Sequence, residues 1–349
     1  MLVRGAVGIE RELRAIANSD DMNASRRQFC RTVLTAAAGG AGVSCEEPVK
    51  PTGPRLPKVK WRVVCTTSWA ASIAAQVGGE AVEAVCLMKA GMSPHQFKAA
   101  APDVAKLRTA DIVLRHGLGL DDAWPVDYPS LEQVGVRLHS VTDSVPAERL
   151  IRPGGPDGAP DPHVWMDPQL AVYMVHAVEA ALIAAMPRLA EYISPRAQRL
   201  RVDLGETDRF LKGLMGELPE KDRFLFTSHA SMAYFARAYG LELRSIANAG
   251  GQAPQALPDE LKAWLSERRV GTLFHEQDTN ETVLAALLLG SKVVTGPVIY
   301  SLALPAAGTF HTIATKRYDV TSINDAIRYT GDVVQSKFCL LYTSPSPRD

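Results

Sequence analysis

The sequence predicts an α/β protein of two lobes, each a mostly parallel sheet flanked by helices, on either side of one long helix. Three observations carry this. Short apolar runs rich in Val, Ile, Leu and Phe alternate with helically spaced stretches through both halves of the chain. Histidines stand just beyond those runs or in the loops that follow them, where open parallel sheets present groups to ligands. Between the halves, residues 195–218 hold a helical pattern long enough to link two lobes.

At 349 residues, 46% apolar and 22% charged, the chain can build two ordinary domains and lacks the signature of disorder. A formal net charge of zero gives no general reason for nucleic acid or a strongly anionic surface as partner, and no nucleic acid is expected. Cys30, Cys45, Cys65, Cys86 and Cys339 lack the close pairing of zinc fingers and redox motifs. Cys65 and Cys86 read either as a disulfide of an exported protein or as buried thiols.

Residues 1–58 read as an export signal and tether. Ser25-Arg26-Arg27-Gln28-Phe29 precedes an apolar run, 32–43, too short to span a bilayer but of signal length. It resembles a twin-arginine signal, with Met22 as the natural start. Gly42-Val43-Ser44-Cys45 resembles a lipobox with glycine in the usual leucine place. That makes Cys45 a candidate lipid anchor and the one expected link to a membrane. The alternative is an ordinary flexible N-terminus. Residues 46–57 are a polar, proline-rich tether. The expected location is periplasmic or the outer face of the cytoplasmic membrane.

In the first lobe, 59–190, residues 61–67 read as a buried strand, followed by an alanine-rich helix that stops at Gly78-Gly79. A second strand is expected at 82–88, a loop at 89–95, and a short helix at 102–109 with Pro102 in its first turn. Strands at 111–115 and 136–141 complete the set, and 171–185 is helical. The linking helix, 191–220, has its pattern at 195–218, with Pro195 at the first helical position after Ser194 and Leu200, Leu204, Phe210, Leu211 and Leu214 as its stripe. The second lobe, 221–337, repeats the alternation. Strands are expected at 224–227, 243–246, 272–274 and 292–295, with helices at 232–239 (closed by Gly240), 259–268 and 281–289. Residues 338–349 fit neither core nor helix and resemble translated sequencing-adaptor read-through, so a C-terminal helix begun near 319–329 is expected to be cut short.

The chemistry centres on Asp161-Pro162-His163-Val164-Trp165-Met166-Asp167-Pro168, an imidazole in a stiff turn between carboxylates. His95, His229 and Glu276 hold comparable positions near predicted strand ends. Imidazole nitrogens with a carboxylate oxygen suit Zn²⁺ or Mn²⁺, and three histidines plus one oxygen can fill a tetrahedral zinc shell. Asp161 or Asp167 could hold the second nitrogen of an imidazole, with Ser228 among the supporting groups. Singly, each histidine reads more readily as a hydrogen-bonded structural residue than as a ligand, Glu276 equally as a helix cap or a surface carboxylate, and Trp165 as packing rather than recognition. His116, His139, His176, His275 and His311 read as surface or structural residues.

In order, Gly91-Met92-Ser93-Pro94-His95, Asp103-Val104-Ala105-Lys106-Leu107, Ala110-Asp111-Ile112-Val113, Gly117-Leu118-Gly119-Leu120, Asp161 to Asp167, Thr227-Ser228-His229 with Tyr234-Phe235, and Phe274-His275-Glu276 resemble the zinc/manganese substrate-binding proteins of ABC importers, the cluster A-I or TroA-like family. The resemblance covers about 59–328. It implies two four-stranded lobes joined by a long rigid helix, and a metal between the lobes on His95, His163 and His229. It also implies delivery to an ABC permease without bond-making chemistry, by a chain expected to be a monomer; some relatives are described as adhesins. One departure stands out: where the family often supplies aspartate in a Tyr-Ser/Thr-Asp segment, Tyr300-Ser301-Leu302 has leucine. The fourth position then falls to Glu276, water or another group. Zn²⁺ is expected ahead of Mn²⁺ or Fe²⁺, although no histidine-rich loop precedes His163. The rival readings are a zinc hydrolase with Glu276 as general base, and an adhesin or non-transporting scaffold.

Overall fold

In the computed structural model, residues 56–89, 92–248, 250–276, 279–299, 301, 310–313, 316–319 and 330 are described. The expectations for the export signal, Cys45, Leu302 and the 338–349 tail lie outside them.

The four apolar runs of the first half become β1 (Trp61–Cys65), β2 (Val82–Cys86), β3 (Ile112–Arg115) and β4 (Arg137–Ser140). They form a parallel sheet in the order β2-β1-β3-β4. Parallel neighbours need crossover connections, and helices supply them. Consecutive residues of β1 serve opposite faces: Val63 and Cys65 enter one apolar cluster and Val64 another, which is why the strand reads as a continuous apolar run. The second sheet, β5 (Phe224–His229), β6 (Glu242–Ala247), β7 (Thr272–Glu276) and β8 (Val294–Ile299), is also parallel, in the order β6-β5-β7-β8. There Leu225 and Phe226 divide between the two faces in the same way.

Capping sets several boundaries. β1 stops at Cys65 rather than 67 because Thr67 caps α1 (Ser68–Gly78), its hydroxyl accepting from the Ala70 N–H at 3.3 Å. α2 (Ala101–Arg108) carries Pro102 in its first turn, and the Asp103 carboxylate accepts from the Ala100 N–H at 3.0 Å. A short α3 (Tyr128–Gln133), not anticipated, is capped by Asp127. α4 (Pro168–Ala185) begins three residues earlier than the apolar spacing implied, because Asp167 caps it. This helix is long and apolar enough to cross a bilayer, but it serves as a core helix through Leu170, Met174, Val178 and Leu182.

The linking helix, α5 (Ala190–Gly216), runs 27 residues, about 40 Å at 1.5 Å per residue. Pro195 does not start it; the helix passes through Pro195, giving up the N–H that proline lacks. Ile193, buried one turn into the helix, shows that packing sets the start. The second lobe adds α6 (Ala233–Tyr239), closed by Gly240 at φ 67° as expected, α7 (Asp259–Glu267) and α8 (Glu281–Leu287). β8 starts two residues into the expected 292–295 and ends four residues later, because it runs through Gly296. A Cβ there would stand 2.7 Å from Thr272 Cγ2, and the β7 register shifts between Leu273 and His275. Glycine at the close approach and an irregularity in the ladder let the strand continue. An antiparallel pair, β9 (Phe310–Ile313) and β10 (Lys316–Asp319), was not anticipated. Cys65 and Cys86 are register partners on β1 and β2 and are free thiols; burial pushes Cys86 up to about 11.

Candidate metal centre

The three histidines reach the centre by different local routes. β5 continues past the predicted strand end, so His229 is its last residue, paired in register with Ala247. His163 follows Pro162 at the entrance to a single 3₁₀ turn over 164–166. Asp161 Oδ1 accepts from the His163 backbone N–H at 2.9 Å and from its ring Nδ1 at 2.7 Å. The ring proton is thereby held on Nδ1 and the lone pair on Nε2 is free to face the centre. Trp165 backs this imidazole edge-on, ring centres 5.2 Å apart, and is itself stacked on Trp69 at 5.7 Å. His95 sits on a loop anchored at the preceding residue, where the Trp124 indole N–H donates to the Pro94 carbonyl at 3.2 Å. On its other side Gly251 packs close, so that a Cβ there would meet the His95 Cβ at 3.8 Å.

The structure brings His95, His163 and His229 together, each offering one ring nitrogen within 4.8 Å of the others. The ring centres stand 5.1, 5.1 and 5.0 Å apart, and Nε2 of His95 lies 3.0 Å from Nε2 of His163. Nitrogens sharing a tetrahedral zinc with bonds of about 2.0–2.1 Å are about 3.3 Å apart, so His95 and His163 already stand near that spacing and the donor set suits such an ion. His163 and His229 are buried and His95 is half-buried. Burial first, then the neighbouring His163, His229 and His116 rings, push His95 down to about 3. The ring is neutral at ordinary pH, the state in which imidazole coordinates.

Glu276 falls outside the group of three but lines the same cavity, about 320 Å³, with His95, His229 and Ser228. It ends β7 almost completely buried and accepts from three hydroxyls: Ser228 by a short bond, Ser231 at 2.7 Å and Ser301 at 3.2 Å. One supporting role differs from expectation. Asp167 contacts no imidazole through its resolved hydrogen bonds; its Oδ1 accepts from the Gln169 N–H at 2.8 Å as the cap of α4, and Arg149 lies 4.0 Å away. Ser228 supports Glu276, whose carboxylate its hydroxyl reaches because β5 and β7 are neighbours in the sheet.

Sequence reasoning missed Ser231 and Ser301, which only the fold brings to Glu276, while of the two readings open for His116, surface or structural, the structure selects the structural one. That ring is buried and its Nε2–H donates to the Pro162 carbonyl at 2.9 Å, bracing the turn before His163. Ser301, next to the anomalous Leu302, ties its segment to the site twice, since its carbonyl also accepts from the Trp165 indole N–H at 2.8 Å.

Known proteins resemble this chain over both sheets. The family profile described as "Zinc-uptake complex component A periplasmic" matches residues 63–326. The manganese-binding lipoprotein MntA of Bacillus subtilis (strain 168) is 33% identical over 257 residues, 71% of this chain and 83% of MntA. The zinc-binding protein TroA of Treponema pallidum (strain Nichols) is 30% identical over 231 residues, 64% of this chain and 74% of TroA. The structure of periplasmic zinc-binding TroA from Treponema pallidum superimposes with a TM-score of 0.71 at 26% identity, covering 80% of this chain and 99% of that one. With its two parallel sheets, long helix and matched profile, the chain belongs to the ZnuA family of metal-binding substrate-binding proteins of ABC transporters.

Proposed function

We propose that this chain captures a divalent transition metal outside the cytoplasm on His95, His163 and His229, takes zinc in preference to manganese, and hands it to an ABC permease. The observation that carries the reading is the 3.0 Å approach of the His95 and His163 Nε2 atoms, with Asp161 holding the His163 proton on the far nitrogen. The preference for zinc follows from the donors. Three imidazoles and at most one carboxylate suit a four-coordinate ion, whereas Mn²⁺ favours oxygen-rich shells and stands lower in the stability order. Relatives named for manganese, zinc and iron mean that membership of the family does not choose the metal. Glu276, or a water beside it, completes the shell in place of the aspartate that Leu302 replaces. Export through the twin-arginine signal and tethering at Cys45 would place a monomer beside its permease.

His163→Ala tests the reading. It is expected to abolish tight zinc binding together with the thermal stabilisation that binding imposes by mass action. An unchanged zinc-dependent melting shift would sink it, and a competition titration in which manganese displaces zinc would reverse the metal preference.

A further inference from the structure

We propose that Tyr234 is a positioning residue of the metal centre: its hydroxyl, carried by the second lobe, fixes the first-lobe loop that aims His163. The loop 152–160 leaves and rejoins the first lobe at a neck closed by the Asp161 N–H donating to the Ile151 carbonyl at 2.8 Å. The two backbone groups left over at that neck both go to one side chain. The Tyr234 hydroxyl accepts from the Ile151 N–H at 3.0 Å and donates to the Asp161 carbonyl at 2.7 Å. Tyr234 is completely buried, and burial pushes its phenol up to about 12, so it is a neutral donor wherever the protein works.

The clasp matters because of what stands at each end. Asp161 is the residue whose Oδ1 takes both the His163 backbone N–H and its ring Nδ1–H. Tyr234 lies on α6, which follows His229 after a single 3₁₀ turn. One hydroxyl thus ties the segment that carries the second lobe's histidine to the carboxylate that orients the first lobe's. The spacing between the His163 and His229 nitrogens is therefore held by a rigid path from one lobe to the other. Metal–ligand distances tolerate errors of only about 0.2 Å, so slack in that path reduces affinity without removing any ligand.

This inference rests on the three-histidine reading above. Tyr234→Phe keeps the ring and deletes the hydroxyl; zinc affinity is expected to fall about 10-fold or more, the range typical of groups that orient a ligand. The visible absorption of the Co²⁺-loaded protein should change in intensity as the coordination geometry relaxes. Tyr239→Phe is the comparison. That hydroxyl is on the same helix but faces Asp208 at 3.4 Å, and its loss should leave zinc affinity and the cobalt spectrum as in the wild type. A second variant approaches the clasp from the first lobe: Ile151→Pro removes the N–H that donates to Tyr234. Leu150 already has the extended backbone, φ −73° and ψ 135°, that a following proline requires. It should weaken zinc binding in the same direction. Wild-type affinity and spectrum in the Tyr234 and Ile151 variants, or equal weakening by Tyr239→Phe, would overturn the assignment. His163→Ala separates the two levels. If it still binds zinc tightly the metal-site reading fails; if it does not and the clasp variants are silent, only the role of Tyr234 fails.

Discussion

Replacing Asp161 with asparagine isolates the contribution of the group that aims His163. The side chain keeps its shape and can still accept at Oδ1 from the His163 backbone N–H and from Nδ1–H, which are 2.9 and 2.7 Å away. What it loses is the charge. A charge-assisted hydrogen bond is roughly twice as strong as a neutral one, and the carboxylate makes the imidazole a better donor to the metal. Losing such a partner costs about 10–100-fold in metal affinity, or about 1.4–2.7 kcal/mol. A second effect is separable. The other oxygen, Oδ2, is buried without a hydrogen-bond partner among the described residues, so the asparagine N–H₂ takes a place that already lacks a partner, and metal-free stability falls by the lost charge assistance of the two bonds at Oδ1, about 1 kcal/mol. The assay is therefore double: melting with and without saturating zinc, and a competition titration against a chromophoric chelator. The expected result is a lower metal-free melting temperature together with a smaller zinc-induced rise. A variant whose zinc dissociation constant equals that of the wild type would refute the view that Asp161 tunes His163, whatever happened to its stability.

Glu276→Gln should weaken zinc binding about tenfold or more, because the amide removes a carboxylate lining the cavity beside His95 and His229 and cannot accept all three hydroxyls that Glu276 now holds; an unchanged dissociation constant would remove Glu276 from the site. Leu204→Ala, at a fully buried position of α5, should cost about 2–5 kcal/mol in denaturant unfolding and leave zinc affinity alone, whereas a matching loss of affinity would show that the linking helix tunes the site directly.

The alternation of strands and helices was legible because fully covered parallel strands read as uninterrupted apolar runs. The histidines were legible because they stand at strand ends or in the loops beyond, where parallel sheets open. What failed was any question of which neighbour a side chain serves. Asp161 and Asp167 flank His163 in sequence, and both were open as partners of its ring. The structure separates them by backbone geometry: Asp161 folds back onto the His163 N–H, while Asp167 precedes Pro168 and caps α4. The Asp-Pro step ahead of a helical pattern was a readable sign of that cap. Ser228 was expected among the supporting groups without a named partner; in a strand successive side chains face opposite ways, and its partner, Glu276, comes from β7. Ser194-Pro195 has the form of a helix start, and tertiary burial at Ile193 overrode it. The last strand was expected to stop at 295, and the close approach of Gly296 to Thr272 makes that glycine the feature that lets β8 pass.

Burial is not divided between the lobes, and this constrains how metal can leave. One apolar cluster contains Val63, Ile112 and Leu114 of the first sheet, Leu170 and Met174 of α4, Leu204 and Leu211 of α5, and Leu225 and Phe274 of the second sheet. Exposing a buried aliphatic or aromatic side chain costs about 1.5–3 kcal/mol, so prising the lobes apart through even a few of these would consume much of a typical stability of about 5–15 kcal/mol. His95 offers a cheaper route. It is the half-buried member of the three histidines and sits on a loop between β2 and α2, and opening a loop exposes less than parting the shared core. Removing zinc should therefore raise amide hydrogen exchange across 92–100 while α5 keeps its protection. Exchange that spreads into α5 on metal removal would show that the lobes separate, and would refute release through the His95 loop.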